Sequence, residues 1–223
     1  MNCKKGMDKV YNIVLFDLDG TLTDPAIGIT NSVSYALKKW GIEVSDRSEL
    51  YKFIGPPLVD SFCKYYNFSK DEAEKAVVYY REYFADKGLF ENSVYDGVIE
   101  MLTELKNRGK RLIIATSKPE IFSKRILEHF ELDRYFDFLA GATMDSSRVK
   151  KADVIAYAMK ECNISDVSDV IMIGDREHDV LGASAFGMDS IGVLYGYGEI
   201  CELEKAGATY IVKTVGDILN IIK

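Results

Sequence analysis

The apolar residues of the chain fall into short, dense runs, set apart by longer stretches in which apolar and charged positions recur with a helical period. The runs are YNIVLF at 11–16, RLIIAT at 111–116, FDFLAG at 136–141, DVIMIG at 169–174, DSIGVL at 189–194 and TYIVK at 209–213. Several are apolar at consecutive positions rather than at every second one, as in strands covered on both faces. Amphipathic stretches at 97–108, 119–130, 151–162 and 177–186 lie between them, with Gly109 and Gly187 placed as stop signals. Strand, helix and strand in repetition predict an α/β fold built on a doubly wound parallel sheet.

The first two runs are separated by about ninety residues, far more than one crossover helix needs, and the chain between them shows no β pattern. Tyr, Phe, Leu, Val and Ala recur at helical spacing over 29–40, 57–67 and 70–87. The expected division is a core made of residues 1–25 and 93–223, with an inserted all-helical module at 26–92 and linkers at Pro25 and 91–93.

Composition narrows the choice of partner. Nearly half the residues are apolar, with no biased tract, so a packed domain is expected throughout. Lys and Arg number 28 against 35 Asp and Glu, a net charge of −7, which argues against nucleic acid as a partner. A small anionic ligand would need a local positive site. Cys3, Cys63, Cys162 and Cys201 form neither a CxxC pair nor a zinc pattern, and free thiols in a reducing compartment are the expectation. The first apolar run is cut at Asp17 and is too short for a signal peptide or a span. No membrane partner and a cytoplasmic location are expected.

The candidate chemistry sits where the apolar runs stop. The first run is followed by Asp17-Leu18-Asp19-Gly20-Thr21-Leu22-Thr23-Asp24. Two carboxylates two residues apart can converge only where the chain leaves the sheet and curls, and Gly20 permits that curl. Asp-Gly is also an ordinary turn signal, so this segment alone decides little. Three further places add polar groups: Thr116-Ser117-Lys118-Pro119, Lys150-Lys151, and Gly174-Asp175-Arg176-Glu177-His178-Asp179. Singly, these read as a helix cap, a solvated lysine and another cap. Together they supply the hydroxyl, cation and carboxylates that a phosphoryl group with a hard metal ion demands.

With those four segments in that order, the chain resembles the haloacid dehalogenase superfamily, in the subgroup similar to phosphoglycolate phosphatases with a helical cap. The start of the stretch at 95–98 and Gly196-Tyr197-Gly198-Glu199 also look like that subgroup. The resemblance implies a Rossmann-like core, the 26–92 insert as the cap, and magnesium-dependent hydrolysis of a small phosphorylated metabolite. It makes Asp17 the nucleophile that forms an aspartyl phosphate, and Asp19 the general acid and base. Mg2+ would be held by the Asp17 carboxylate, the Asp19 main-chain carbonyl and Asp175, with Asp179 orienting a water or Lys151. Thr116, the Ser117 N–H at the start of a helix, and Lys151 would bind phosphate. Lys151 is preferred to Lys150 because it precedes Ala152-Asp153-Val154-Ile155 as the family's lysine precedes its helix.

Phosphoglycolate is the nominal substrate; a 5'-nucleotidase acting on nucleoside monophosphates and a sugar phosphomutase remain as alternatives. A binding protein without catalysis is set aside because every chemical role is filled. Lys52, the turn at 53–57 and Tyr65 or Tyr66 are the residues expected to reach the crevice from the cap, with packing within the bundle the competing reading for each. His178 is expected to face solvent, and the protein to be a monomer or weak dimer.

Overall fold

A computed structural model describes residues 9–145 and 147–223. In chain order the elements are β1 (Ile13–Phe16), β2 (Thr23–Asp24), α1 (Ala26–Lys38), α2 (Leu58–Tyr66), α3 (Lys70–Tyr83), β3 (Ser93–Val94), α4 (Val98–Asn107), β4 (Arg111–Pro119), α5 (Glu120–His129), β5 (Phe138–Ala142), α6 (Lys151–Glu161), β6 (Val170–Gly174), α7 (Glu177–Ser184), β7 (Asp189–Val193), α8 (Ile200–Ala206), β8 (Tyr210–Val212) and α9 (Ile218–Ile221). The six apolar runs become one six-stranded sheet in the order β5-β4-β1-β6-β7-β8, parallel at each pairing. The chain builds outward from β1 to β5 on one side, then returns to build from β6 to β8 on the other.

The unbroken apolar character of these strands has a direct cause. Val14, Phe16, Ile114, Ile171 and Ile173 enter one buried cluster, whereas Leu15, Ile113, Ala115, Val170 and Met172 enter another. Alternate residues therefore face opposite cores, which makes consecutive positions apolar, and the buried Ser190 of β7 is accommodated by the Thr209 N–H. Leu102 and Leu105 of α4 with Ile218 of α9 cover the first face; Val154, Ile155 and Ala158 of α6 cover the second.

Residues 26–92 hold helices and turns and, among the described residues, no strand. α3 begins sharply because Ser69 and Glu72 cap each other's backbone N–H groups. Its expected extent of 70–87 divides at Tyr83, after which Phe84–Gly88 widens into a π turn. A 3-10 helix at Arg47–Phe53 escapes the periodicity reading because it buries only Leu50 and Phe53. The chain passes out to these helices and back through a short antiparallel ribbon, with Thr23 opposite Val94 and Asp24 opposite Ser93. Two-residue strands leave no pattern to read. Cys63, Cys162 and Cys201 are free, and Cys3 lies outside the described residues. No helix among the described residues is long and apolar enough to cross a membrane.

Candidate active site

Strand register brings the candidate residues together. Phe16 is level with Ile114 of β4 and Ile173 of β6, so Asp17 leaves β1 level with Ala115 and Gly174, and Thr116 and Asp175 follow one residue further along the two flanking strands. That edge, where strand order reverses, is the ligand-binding edge of open α/β sheets. Asp17 is fixed by its own backbone N–H, which donates to the Ile173 carbonyl at 2.9 Å. Gly20 then turns the chain at φ +81°, and a Cβ there would run into the Asp175 carboxylate. Gly174 makes the same allowance on the other strand, since a Cβ there would collide with the Asp179 carboxylate.

Lys151, the first residue of α6, is buried and reaches back across the strand ends. Its Nζ lies 2.8 Å from Asp17 Oδ1 and 2.7 Å from Asp179 Oδ1, and it donates to the Ala115 carbonyl at 2.9 Å. Burial pulls its pKa down, but the two carboxylates outweigh that and hold it above the ordinary lysine value. Asp175 Oδ2 accepts the Tyr197 N–H at 2.7 Å, while its Oδ1 has no hydrogen-bond partner among the described residues. Burial, with Asp179 beside it, pushes Asp175 well above the usual carboxylate range. Burial likewise raises Asp179 to about 6, against the pull of Lys151. Lys150, by contrast, is exposed at the cleft rim.

Asp19 turns away from this group. One oxygen, Oδ2, is paired with Lys118 Nζ, and the other has no partner among the described residues. Burial raises its pKa, and the Lys118 cation partly offsets the rise. The apolar run at 111–116 predicts a strand that stops at Thr116, which gives Lys118 no role. The chain in fact stays extended to Pro119, and α5 starts only at Glu120. Two consequences follow. Lys118 reaches Asp19 from a stretch where the β4–β5 pairing is irregular between Ala115 and Pro119, and the Ser117 N–H is not at a helix start as expected. The Thr116 hydroxyl instead accepts the Lys118 N–H at 3.2 Å in a strand-end turn.

The charge balance points to a cation. Asp17, Asp19, Asp175 and Asp179 are all buried, against two buried lysines in contact with them, Lys118 and Lys151. The set is two charges too negative to remain ionised without a partner. Asp17, Asp175 and Asp179 each offer a carboxylate oxygen within 4.8 Å of the others. An all-oxygen donor set with an unpartnered Asp175 oxygen fits a hard divalent ion such as Mg2+.

A stability prediction follows for the metal-free protein. Asp175 and Asp179 bind protons more tightly when folded than when unfolded. Stability should therefore fall as pH rises from about 4, the unfolded carboxyl value, through about 6, the folded Asp179 value. In excess chelator Tm should drop over that window by several degrees, at about 2–4 °C per kcal/mol for a chain of this size. Mg2+ at neutral pH should restore it. A chelated protein whose Tm rises steadily between those pH values would contradict the carboxylate reading.

A cleft of about 700 Å³ opens over Asp17, Asp19, Thr116 and Ser117. Its opposite wall is made by Phe53, the Gly55-Pro56-Pro57 turn, and Val77 and Tyr80 of α3. The turn thus reaches the crevice as expected, but Lys52, Tyr65 and Tyr66 do not line it. Lys52 is exposed and lies 4.7 Å over the Tyr65 ring on the outer side of the helices. His178 is half-buried rather than solvent-facing, with its pKa lowered by burial.

The family described as haloacid dehalogenase-like hydrolase matches residues 14–193. The chain is 42% identical over 213 residues to a protein of Pseudomonas aeruginosa named 5'-nucleotidase, covering 96% of each. It is 30% identical over 219 residues to a phosphoglycolate phosphatase of Colwellia psychrerythraea, covering 95% of this chain and 96% of that one. A crystal structure described as a predicted phosphatase from Clostridium acetobutylicum superimposes with a TM-score of 0.91 at 56% identity, covering 94% of this chain and 96% of that one.

Proposed function

The chain belongs to the haloacid dehalogenase-like hydrolase family, and we propose that within it the protein is a magnesium-dependent phosphatase of small phosphate monoesters. The observation that carries this reading is the convergence of the Asp17, Asp175 and Asp179 carboxylates at the sheet edge, with Lys151 paired to Asp17 and Asp179 and Asp19 paired to Lys118.

In this mechanism a carboxylate oxygen of Asp17 attacks phosphorus. The ester bond breaks, the leaving oxygen takes the proton of Asp19, and an aspartyl phosphate remains on Asp17. Water then attacks phosphorus while giving a proton to Asp19, which releases phosphate and restores Asp17. Burial holds Asp19 above the ordinary carboxyl range, which suits a group that must carry a proton to a leaving oxygen. Lys118 fixes where that carboxyl points. Lys151, the Thr116 hydroxyl and the Ser117 N–H hold the phosphoryl oxygens. Asp17, Asp175 and the Asp19 main-chain carbonyl, with Asp179 beside them, would hold Mg2+, which when bound would supply the charge screening that lets one anion approach another.

We assign residues 26–92 as a cap domain on a core of 1–25 and 93–223, hinged at the β2–β3 ribbon. Closing it would exclude water and strengthen the electrostatics of the site. Substrate choice rests on the cleft wall. Phe53, Val77 and Tyr80 offer an apolar surface that a two-carbon acid such as phosphoglycolate would leave unfilled. This wall, with the 5'-nucleotidase relative, favours a nucleoside 5'-monophosphate over the phosphoglycolate first expected. The test is a panel of phosphate monoesters with Mg2+. Nucleoside monophosphates should lead in kcat/KM, activity should disappear in chelator, and a panel in which no ester is hydrolysed would overturn the reading.

A further inference from the structure

Arg176 directly follows Asp175 in sequence but reaches away from the carboxylates, toward the opposite wall of the cleft. Its Nη1 donates to the Ile54 carbonyl at 2.7 Å, bridging 122 positions of sequence. Its Nε donates to Glu202 Oε1 at 2.8 Å, and that same oxygen accepts the Glu177 N–H at 2.8 Å. One side of the guanidinium is thus braced by a carboxylate anchored at the start of α7, and the other side holds a backbone carbonyl of the cap. The turn is shaped to receive it: Gly55 sits at φ +99°, and a Cβ there would lie 3.0 Å from Arg176 Cγ.

Two other arginines cross the same boundary, Arg81 to the Met144 carbonyl at 3.2 Å and Arg125 to the Ala85 carbonyl at 3.0 Å. Neither has an acidic partner among the described residues, so Arg176 is the braced member of the three. It also grips the base of the turn at 55–57, which lines the cleft.

We propose that Arg176 is a positioning residue for substrate selection: it sets the placement of residues 54–57 over the site, and with it the fit of the substrate beyond its phosphoryl group. It touches no reacting atom. Selectivity is then tied to a residue adjacent in sequence to the metal-binding Asp175, so the cap turn is referenced to the chemical centre rather than to the outer surface. Lysine would not substitute fully, since an ammonium lacks the planar fork that serves Glu202 and Ile54 together.

The inference rests on the phosphatase reading for its kinetic arm and is independent of it for its exchange arm. In the full chain, Arg176→Met should raise amide hydrogen exchange over residues 53–60 roughly tenfold, as expected for loss of a charge-assisted hydrogen bond. Exchange over residues 81–85 should be unchanged. With Mg2+, kcat/KM for a nucleoside 5'-monophosphate should fall roughly tenfold or more, chiefly through KM. Hydrolysis of p-nitrophenyl phosphate, and Mg2+ affinity read from the Tm shift, should be retained. Arg176→Lys should recover part of the loss. Glu202→Gln, which frees the brace while keeping the arginine, should move each quantity in the same direction by less, and it decides the matter if Arg176→Met does not fold. Unchanged exchange over 53–60 would overturn the proposal. So would equal losses on both esters with weakened Mg2+ binding, because the arginine would then be acting through Asp175. If the unaltered protein hydrolysed neither ester, the phosphatase reading would fail, and the exchange arm would still decide whether Arg176 holds the turn.

Discussion

Asp17→Asn is expected to lower kcat by roughly four orders of magnitude or more on every substrate, the scale seen when a nucleophile is removed from a covalent mechanism. The amide is nearly the same size and cannot form an equivalent acyl phosphate, so the loss should come without unfolding. Because the substitution also removes one negative charge from a buried set that is two charges too negative, the metal-free variant should melt no lower than the unaltered protein. Its gain in Tm on adding Mg2+ should shrink. Steady-state rates with parallel melting curves check both halves. A variant retaining activity within tenfold of the original would remove Asp17 from the chemistry.

Asp19→Asn should be almost as damaging on unactivated alkyl phosphates, by roughly 10²–10⁴-fold, but its effect should depend on the leaving group. A good leaving group needs no proton, so phosphorylation of Asp17 by an aryl phosphate should be slowed far less than phosphorylation by a nucleotide. In the proposed mechanism the second half of the cycle still needs Asp19 to take a proton from water. Rapid-quench kinetics with p-nitrophenyl phosphate should therefore show a burst of phenol followed by slow turnover. Equal slowing of the phosphorylation step for aryl and alkyl esters would show that Asp19 is not the leaving-group acid. Its contact with Lys118 would then have to serve another purpose.

The ends of β1 and β6 are legible because the runs at 11–16 and 169–174 are apolar until the strand stops, and the next polar residues mark the edge where ligands sit. Asp17 and Asp175 can be named on that basis, Thr116 by the end of the apolar run at 111–116, and parallel pairing brings the three within one residue of each other along adjacent strands. The order of the strands was not legible, since it depends on which helices cover which face. Lys118 was missed for a local reason: three more residues of extended chain, ending at Pro119, changed where a flanking lysine points. Lys52 and Tyr65 failed for a tertiary reason. Their helical spacing is consistent with several orientations of the bundle, and the one adopted turns Phe53, Val77 and Tyr80 to the cleft and leaves Lys52 outside. Arg176 carries no local signal for its role, because the carbonyl it holds belongs to Ile54. Such a contact exists only once residues 26–92 have docked on the core.

The measurement that bears most directly on the covalent account is the capture of the intermediate. Asp19→Asn protein mixed with excess p-nitrophenyl phosphate and Mg2+, quenched in acid within the burst phase, should gain the mass of one phosphoryl group per chain. Borohydride reduction before digestion should convert Asp17, and no other aspartate, to homoserine. A phosphoryl group recovered on another residue, or a full burst of phenol from protein that carries no phosphoryl group at all, would contradict the assignment of Asp17 as the nucleophile.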